Sequence, residues 1–161
     1  MFPKTHIIFG FIFSLILFLL FPSINWVGFF MIFASSVLID VDHYLFYAVT
    51  KKDWSLIRAY KWFVKGTKRF EKLSIEEKKK SKSIVCIFHG IESLIILFVL
   101  SYFSNFFFFI LIGFLFHELL DLIHILYWNY DINHLGFQTY NLLRERKIKR
   151  RYNKNSNQRY I

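Results

Sequence analysis

The stretch Asp40-Val41-Asp42-His43 puts two carboxylates and an imidazole at the end of an otherwise apolar run. From Thr5 to Ile39 the only ionisable side chain is His6. Two later apolar runs repeat the pattern, one with His89 and Glu92, the other with His117, Glu118, Asp121 and His124. Mixed imidazole and carboxylate donors suit Zn²⁺, Mn²⁺ or Fe²⁺. Eight metal ligands are expected, His6, Asp40, Asp42, His43, His89, His117, Asp121 and His124, enough for one ion or two. Glu92 and Glu118 are the expected general bases, each able to take a proton from an attacking water.

Charge gives a reason to expect a metal. The apolar runs hold five acids, Asp40, Asp42, Glu92, Glu118 and Asp121, and no Lys or Arg. Five unpaired carboxylates at membrane depth would cost on the order of 12–18 kcal/mol. That exceeds the stability of an ordinary domain. Protonated acids, protonated histidines or bound metal cations are the three ways out.

The elements that must position these groups are apolar helices. All 21 Lys and Arg lie at Lys4, in 51–82 or in 144–159. Such segregation of charge from apolar runs marks a polytopic membrane protein. It argues against nucleic acid as a partner. The expected fold is all-α, with four spans over 5–21, 26–49, 83–103 and 106–128. The first is read as a retained helix rather than a cleaved leader, since no small-residue cleavage site follows it. Pro22-Ser23-Ile24-Asn25 and 101–105 are the short turns between spans.

The chain divides into a transmembrane domain, 1–128, and a basic tail, 129–161. Between spans two and three, 51–82 carries 12 Lys/Arg against four acids. Within it Leu56, Tyr60, Phe63, Val64, Thr67 and Phe70 fall on one helical face and Arg58, Lys61, Lys65, Lys68, Arg69 and Lys72 on the other. This predicts a basic amphipathic helix against an anionic cytoplasmic leaflet. Asp53 is its expected N-cap. Ser74-Ile75-Glu76-Glu77 is a capping box expected to open a helix that continues into span three.

The basic loop and tail belong in the cytoplasm by the positive-inside rule, which puts both termini there and makes the chain a multi-pass protein of the cell (inner or plasma) membrane. On that topology His6 falls at the inner end of its span and the other His, Asp and Glu side chains in the inner half of theirs, most of them about 5–15 Å from the boundary at 1.5 Å per residue. Asp40 with His43, His89 with Glu92, and His117 with Asp121 and His124 each share a helical face. Asp42 points away from Asp40 unless the helix unwinds there. The lone Cys86 reads as a small buried hydrophobe, and Phe106–Phe109 as lipid-facing filler.

Thr5-His6, Asp40-Val41-Asp42-His43 and His117-Glu118-Leu119-Leu120-Asp121 resemble the motifs of the predicted inner-membrane metal-dependent hydrolases, a family that includes a LexA-regulated bacterial member. The resemblance covers roughly 5–128. It implies that His6, Asp40, Asp42, His43, His117 and Asp121 ligate metal. Ile39 stands where that family has Pro, and His89-Gly90-Ile91-Glu92-Ser93 replaces a longer motif with a second His where Glu92 falls.

The expected function is therefore an integral-membrane metal-dependent hydrolase acting on an ester or phosphoester of an amphipathic or anionic substrate. A divalent-cation or proton transporter using the same ligands is the alternative, and a non-catalytic membrane anchor a third. The outer halves of the spans lack polar residues to continue a transport path, and an anchor leaves the buried acids unexplained.

Overall fold

A computed structural model describes residues 3–80, 86, 88–128, 136–140 and 143. His134 and most of the tail lie outside them. The described residues form helices only: α1 Pro3–Leu20, α2 Trp26–Leu38, α3 Val41–Lys51, α4 Leu56–Glu71, α5 Ile75–Lys80, α6 Ile91–Ser101 and α7 Asn105–Trp128. Among the described residues three apolar stretches are long enough to cross a membrane: Pro3–Leu20, Trp26–Lys51 (α2 and α3 together) and Asn105–Trp128. Their outward faces carry large apolar side chains such as Ile8, Phe11, Leu19, Val27, Phe30, Leu115 and Ile123, as a lipid solvent allows.

The core is a close bundle of α1, α2 and α7. In α1 the buried residues His6, Gly10 and Ser14 recur every fourth position, and in α7 Gly113, His117, Asp121 and Ile125 do the same. Each set therefore lies on one stripe. Small residues set the approach, as they do where packing rather than water exclusion drives helix association. A Cβ on Gly10 would run into Ser36 Oγ, and one on Gly113 into Ser35 Oγ and, at 2.5 Å, the Ile32 carbonyl. Phe13 and Phe116 stack at 3.9 Å between α1 and α7. Phe106 and Phe108 are exposed as expected, whereas Phe109 packs over Gly28.

Four local features differ from expectation. The helix of span two is interrupted at Ile39–Asp40, with the His43 amide bonding back to the Asp40 carbonyl at 3.1 Å. The capping box at Ser74 forms, its amide donating to Glu77 Oε2 at 2.9 Å and Glu77 N–H to Ser74 Oγ at 3.3 Å. However, α5 does not continue into the next apolar helix, because Cys86 and Phe88–Gly90 are non-helical. Helix α6 starts only at Ile91 and has 11 residues, about 17 Å of rise. Finally, Ser55 rather than Asp53 caps α4, its side chain accepting from Arg58 N–H.

Asp53 instead ties α4 to α3. Its carboxylate accepts from Arg58 Nε and Nη2 at 2.6 Å and from Tyr47 Oη at 2.6 Å. Arg58 beside it, with the Tyr47 hydroxyl, holds its carboxyl below the usual carboxylate range. Helix α3 ends with Lys52 in the left-handed conformation, φ 53°, its amide bonded to the Ala48 carbonyl. On α4, Phe63, Val64, Thr67 and Phe70 are half-buried, while Leu56 and Tyr60 on the same predicted face are exposed.

Candidate metal centre

His6, Asp40, Asp42, His43, His89, His117 and Asp121 are drawn from α1, the α2–α3 turn, α3, the segment before α6, and α7 into one cluster. The stripes of small residues place His6 flat against His117, ring centroids 4.0 Å apart. The turn at Ile39–Asp40 does what a continuous helix could not, bringing both Asp40 and Asp42 to the same centre. Residue 36, four positions before Asp40, supplies the carbonyl that accepts from His117 Nδ1 at 2.8 Å. The break in α2 thus coincides with its bond to α7.

Tautomers follow from the partners. His117 Nδ1 faces the Ser36 carbonyl, an obligate acceptor, so it carries the proton. His89 Nδ1 lies 3.1 Å from Asp42 Oδ2, also an acceptor, and carries one too. In the neutral rings both Nε2 atoms are then lone pairs, and they face each other at 3.1 Å. Such a contact is relieved by a proton on one ring or by a metal ion bound to both.

Two carboxylates complete the shell. Asp40 Oδ1 is 3.4 Å from His89 Nε2 and 3.7 Å from His117 Nε2. Asp121 Oδ2 is 3.7 and 3.4 Å from the same atoms. Four donors around a zinc-sized ion at 2.0–2.1 Å stand about 3.3–3.4 Å apart. The separations between each carboxylate and the two nitrogens bracket that value, and the ligand atoms of His89, His117 and Asp121, like those of His6, Asp40 and His117, lie within 4.8 Å of one another, so the residues fit a divalent ion. His6 Nε2 lies 3.3 Å from Asp121 Oδ1 with neither ring nitrogen hydrogen-bonded, and the residue is 1% exposed. The His89–Asp42 and His117–carbonyl bonds are the usual outer supports that hold a ligating imidazole in one tautomer.

Non-helical backbone at this depth is tolerated where protein satisfies it. Here the Phe88 amide donates to Asp42 Oδ2 at 3.0 Å, so the same carboxylate orients His89 and closes the chain before α6. Cys86, read from sequence as a small hydrophobe, sits instead in the cluster with Sγ 2.7 Å from His43 Nδ1. Its lack of zinc-motif spacing hid it. Only its presence in a run that also contains His89 hints at proximity.

Two expected site residues lie elsewhere. Glu92 is turned away by the non-helical Gly90, and its carboxylate accepts the Gln138 and Thr139 amides at 3.1 and 2.9 Å. It therefore anchors the segment after α7 rather than facing the cluster. His124 lies about one turn beyond Asp121, its ring edge-on to Trp128 at 6.4 Å, and joins none of the three ligand groups among the described residues. Glu118 follows His117 on α7, half-buried, with Oε1 lacking any hydrogen-bond partner.

No protein-family profile, curated protein or solved structure matches this chain.

Proposed function

We propose that this chain is an integral-membrane metal-dependent hydrolase, of the kind its Asp-Val-Asp-His and His-x-x-x-Asp stretches resemble. The observation that carries the reading is the pair of facing ring nitrogens, His89 Nε2 and His117 Nε2, flanked by Asp40 and Asp121. His89, His117, Asp40 and Asp121 would hold the ion, and His6 would steady Asp121 from α1. Bound there, a divalent ion supplies Lewis acidity, which makes water nucleophilic at neutral pH and polarises an ester or phosphoryl oxygen. Glu118, with a free carboxylate oxygen on the same helix, is the group to take the proton of the attacking water.

The basic helix supports an anionic, amphipathic substrate. Phe63 of α4 stacks on His43 at 5.4 Å, so α4 lies over the cluster, and its Arg58, Lys61, Lys65, Lys68 and Arg69 are exposed. We read α4 as lying on the headgroups of the cytoplasmic leaflet, and α6 with the non-helical Phe88–Gly90 before it as a fourth crossing. Both termini then lie in the cytoplasm.

The test is turnover of phospholipid-like esters and phosphoesters by detergent-purified protein reconstituted in vesicles. Activity should vanish with a chelator and return with Zn²⁺ or Mn²⁺, and Glu118→Gln should lower it while leaving bound metal unchanged. No turnover across both substrate classes in fully metal-loaded protein overturns hydrolysis. Metal uptake into the same vesicles would then assign the ligands to transport.

A further inference from the structure

The shell around His89 Nε2 and His117 Nε2 does not use three converging donors next to it. These are Asp42 Oδ1, His43 Nδ1 and Cys86 Sγ. With His89 they form a group whose ligand atoms all lie within 4.8 Å of one another. His43 Nδ1 is 2.7 Å from Cys86 Sγ and 3.3 Å from Asp42 Oδ1. Asp42 is 7% exposed, and its Oδ1 is buried without a hydrogen-bond partner.

Neither neutral form of His43 satisfies this arrangement. If Nδ1 is a lone pair, Cys86 S–H donates to it, but Asp42 Oδ1 then faces that same lone pair at close range. If Nδ1 carries the proton, one hydrogen must serve both sulfur and carboxylate. A Cys–His–Asp relay would use the two ring nitrogens for the two partners, with acid on one side and nucleophile on the other. Here Nδ1 faces both Cys86 and Asp42, and the carboxylate on the Nε2 side, Asp40 Oδ1, stands 3.9 Å away, too far for a relay hydrogen bond; donors gathered on one nitrogen are how ligands converge on a common ion.

We propose that Asp42, His43 and Cys86 form a second metal site, with a thiolate ligand, beside the His89–His117 site. The proposal rests on the reading that the cluster binds metal and adds to it the number of ions and the softer donor set. A thiolate, an imidazole and a carboxylate select zinc over manganese or magnesium. Binding displaces the Cys86 thiol proton to solvent. His89 separates the two sites, Nε2 toward the first and Nδ1 bonded to Asp42 Oδ2. Its ring stacks on His43 at 4.7 Å, with Phe63 on the far face of His43. Three protein donors leave a fourth position for water or substrate, the arrangement of reactive rather than purely structural zinc. The second site is also the more accessible one, since the His43 side chain is 26% exposed and that of His117 fully buried.

The test uses the full chain, stripped of metal in detergent and titrated with Co²⁺. Cys86 is the sole cysteine, so a thiolate-to-cobalt charge-transfer band in the near ultraviolet can come from no other cysteine in the chain. Wild type should bind two cobalt ions per chain and show the band. Cys86→Ser should bind one and lose it, while His117→Ala should keep it. Zinc-edge X-ray absorption on unsubstituted protein should show a sulfur neighbour at about 2.3 Å, which reads the same bond without a variant. One ion per chain with no sulfur signature overturns the second site and leaves the proposed function standing. No bound metal overturns both.

Discussion

Gly113→Ala tests how the α2–α7 contact sets the metal centre. An added Cβ would lie 2.5 Å from the Ile32 carbonyl oxygen and 3.0 Å from the Ser36 amide, both backbone. Neither can rotate away. A carbon–oxygen contact relaxes at about 3.3 Å, so α7 must move off α2 by roughly 0.8 Å. The nearest functional bond is one turn along, His117 Nδ1 to Ser36 O at 2.8 Å. The same displacement there stretches it past hydrogen-bonding range. Losing such an outer support costs a metal site about 10–100-fold in affinity, and overpacking costs about 1–3 kcal/mol of stability. Competition with a chromophoric chelator reads the first quantity and thermal unfolding in detergent the second. Gly66→Ala is the control, because nothing lies within 4 Å of the added carbon and α4 is helical there. It should leave metal affinity unchanged and add about 0.5–1 kcal/mol. Wild-type metal affinity in Gly113→Ala would refute the reasoning.

Two further outcomes follow from bonds outside the cluster. Glu92→Ala removes the acceptor of the Gln138 and Thr139 amides, so residues 136–140 should become susceptible to limited proteolysis while metal content stays at the wild-type level. A drop in bound metal would return Glu92 to the site. The Asp53 carboxylate is stabilised by Arg58 and Tyr47, with its pKa held low in the folded chain. A depressed carboxylate pKa contributes stability that is present above the unfolded value and lost as pH falls through the folded one. The α3–α4 clamp should therefore hold through neutral and mildly acidic pH and open only in stronger acid. Asp53→Asn should open it already at neutral pH, read as faster amide exchange across 53–58.

Three of the four expected spans and most of the cluster were legible because both rest on simple contrasts. Ionisable groups stand out in runs such as 5–39 and 106–128, and i, i+4 spacing alone puts His117 and Asp121 on one face. What stayed hidden depends on partners distant in sequence. The turn at Ile39–Asp40 has neither Gly nor Pro to announce it. Cys86 is silent until His43, on another element, comes against its sulfur. Glu92 shares helical spacing with His89 in the sequence, but the chain before Ile91 is not helical, and its partners lie 46 and 47 positions further on. Asp53 looked like a cap because a carboxylate before an amphipathic run usually is one; Ser55, two residues on, takes that place.

On the proposed function a cation lies between His89 and His117. Elemental analysis of detergent-purified wild-type chain, beside Asp121→Asn and a His89→Ala/His117→Ala double variant, tests it most directly. The wild type should carry stoichiometric zinc, manganese or iron, Asp121→Asn less, and the double variant none at that site. A folded wild type with no bound transition metal, even after dialysis against zinc, would contradict the account.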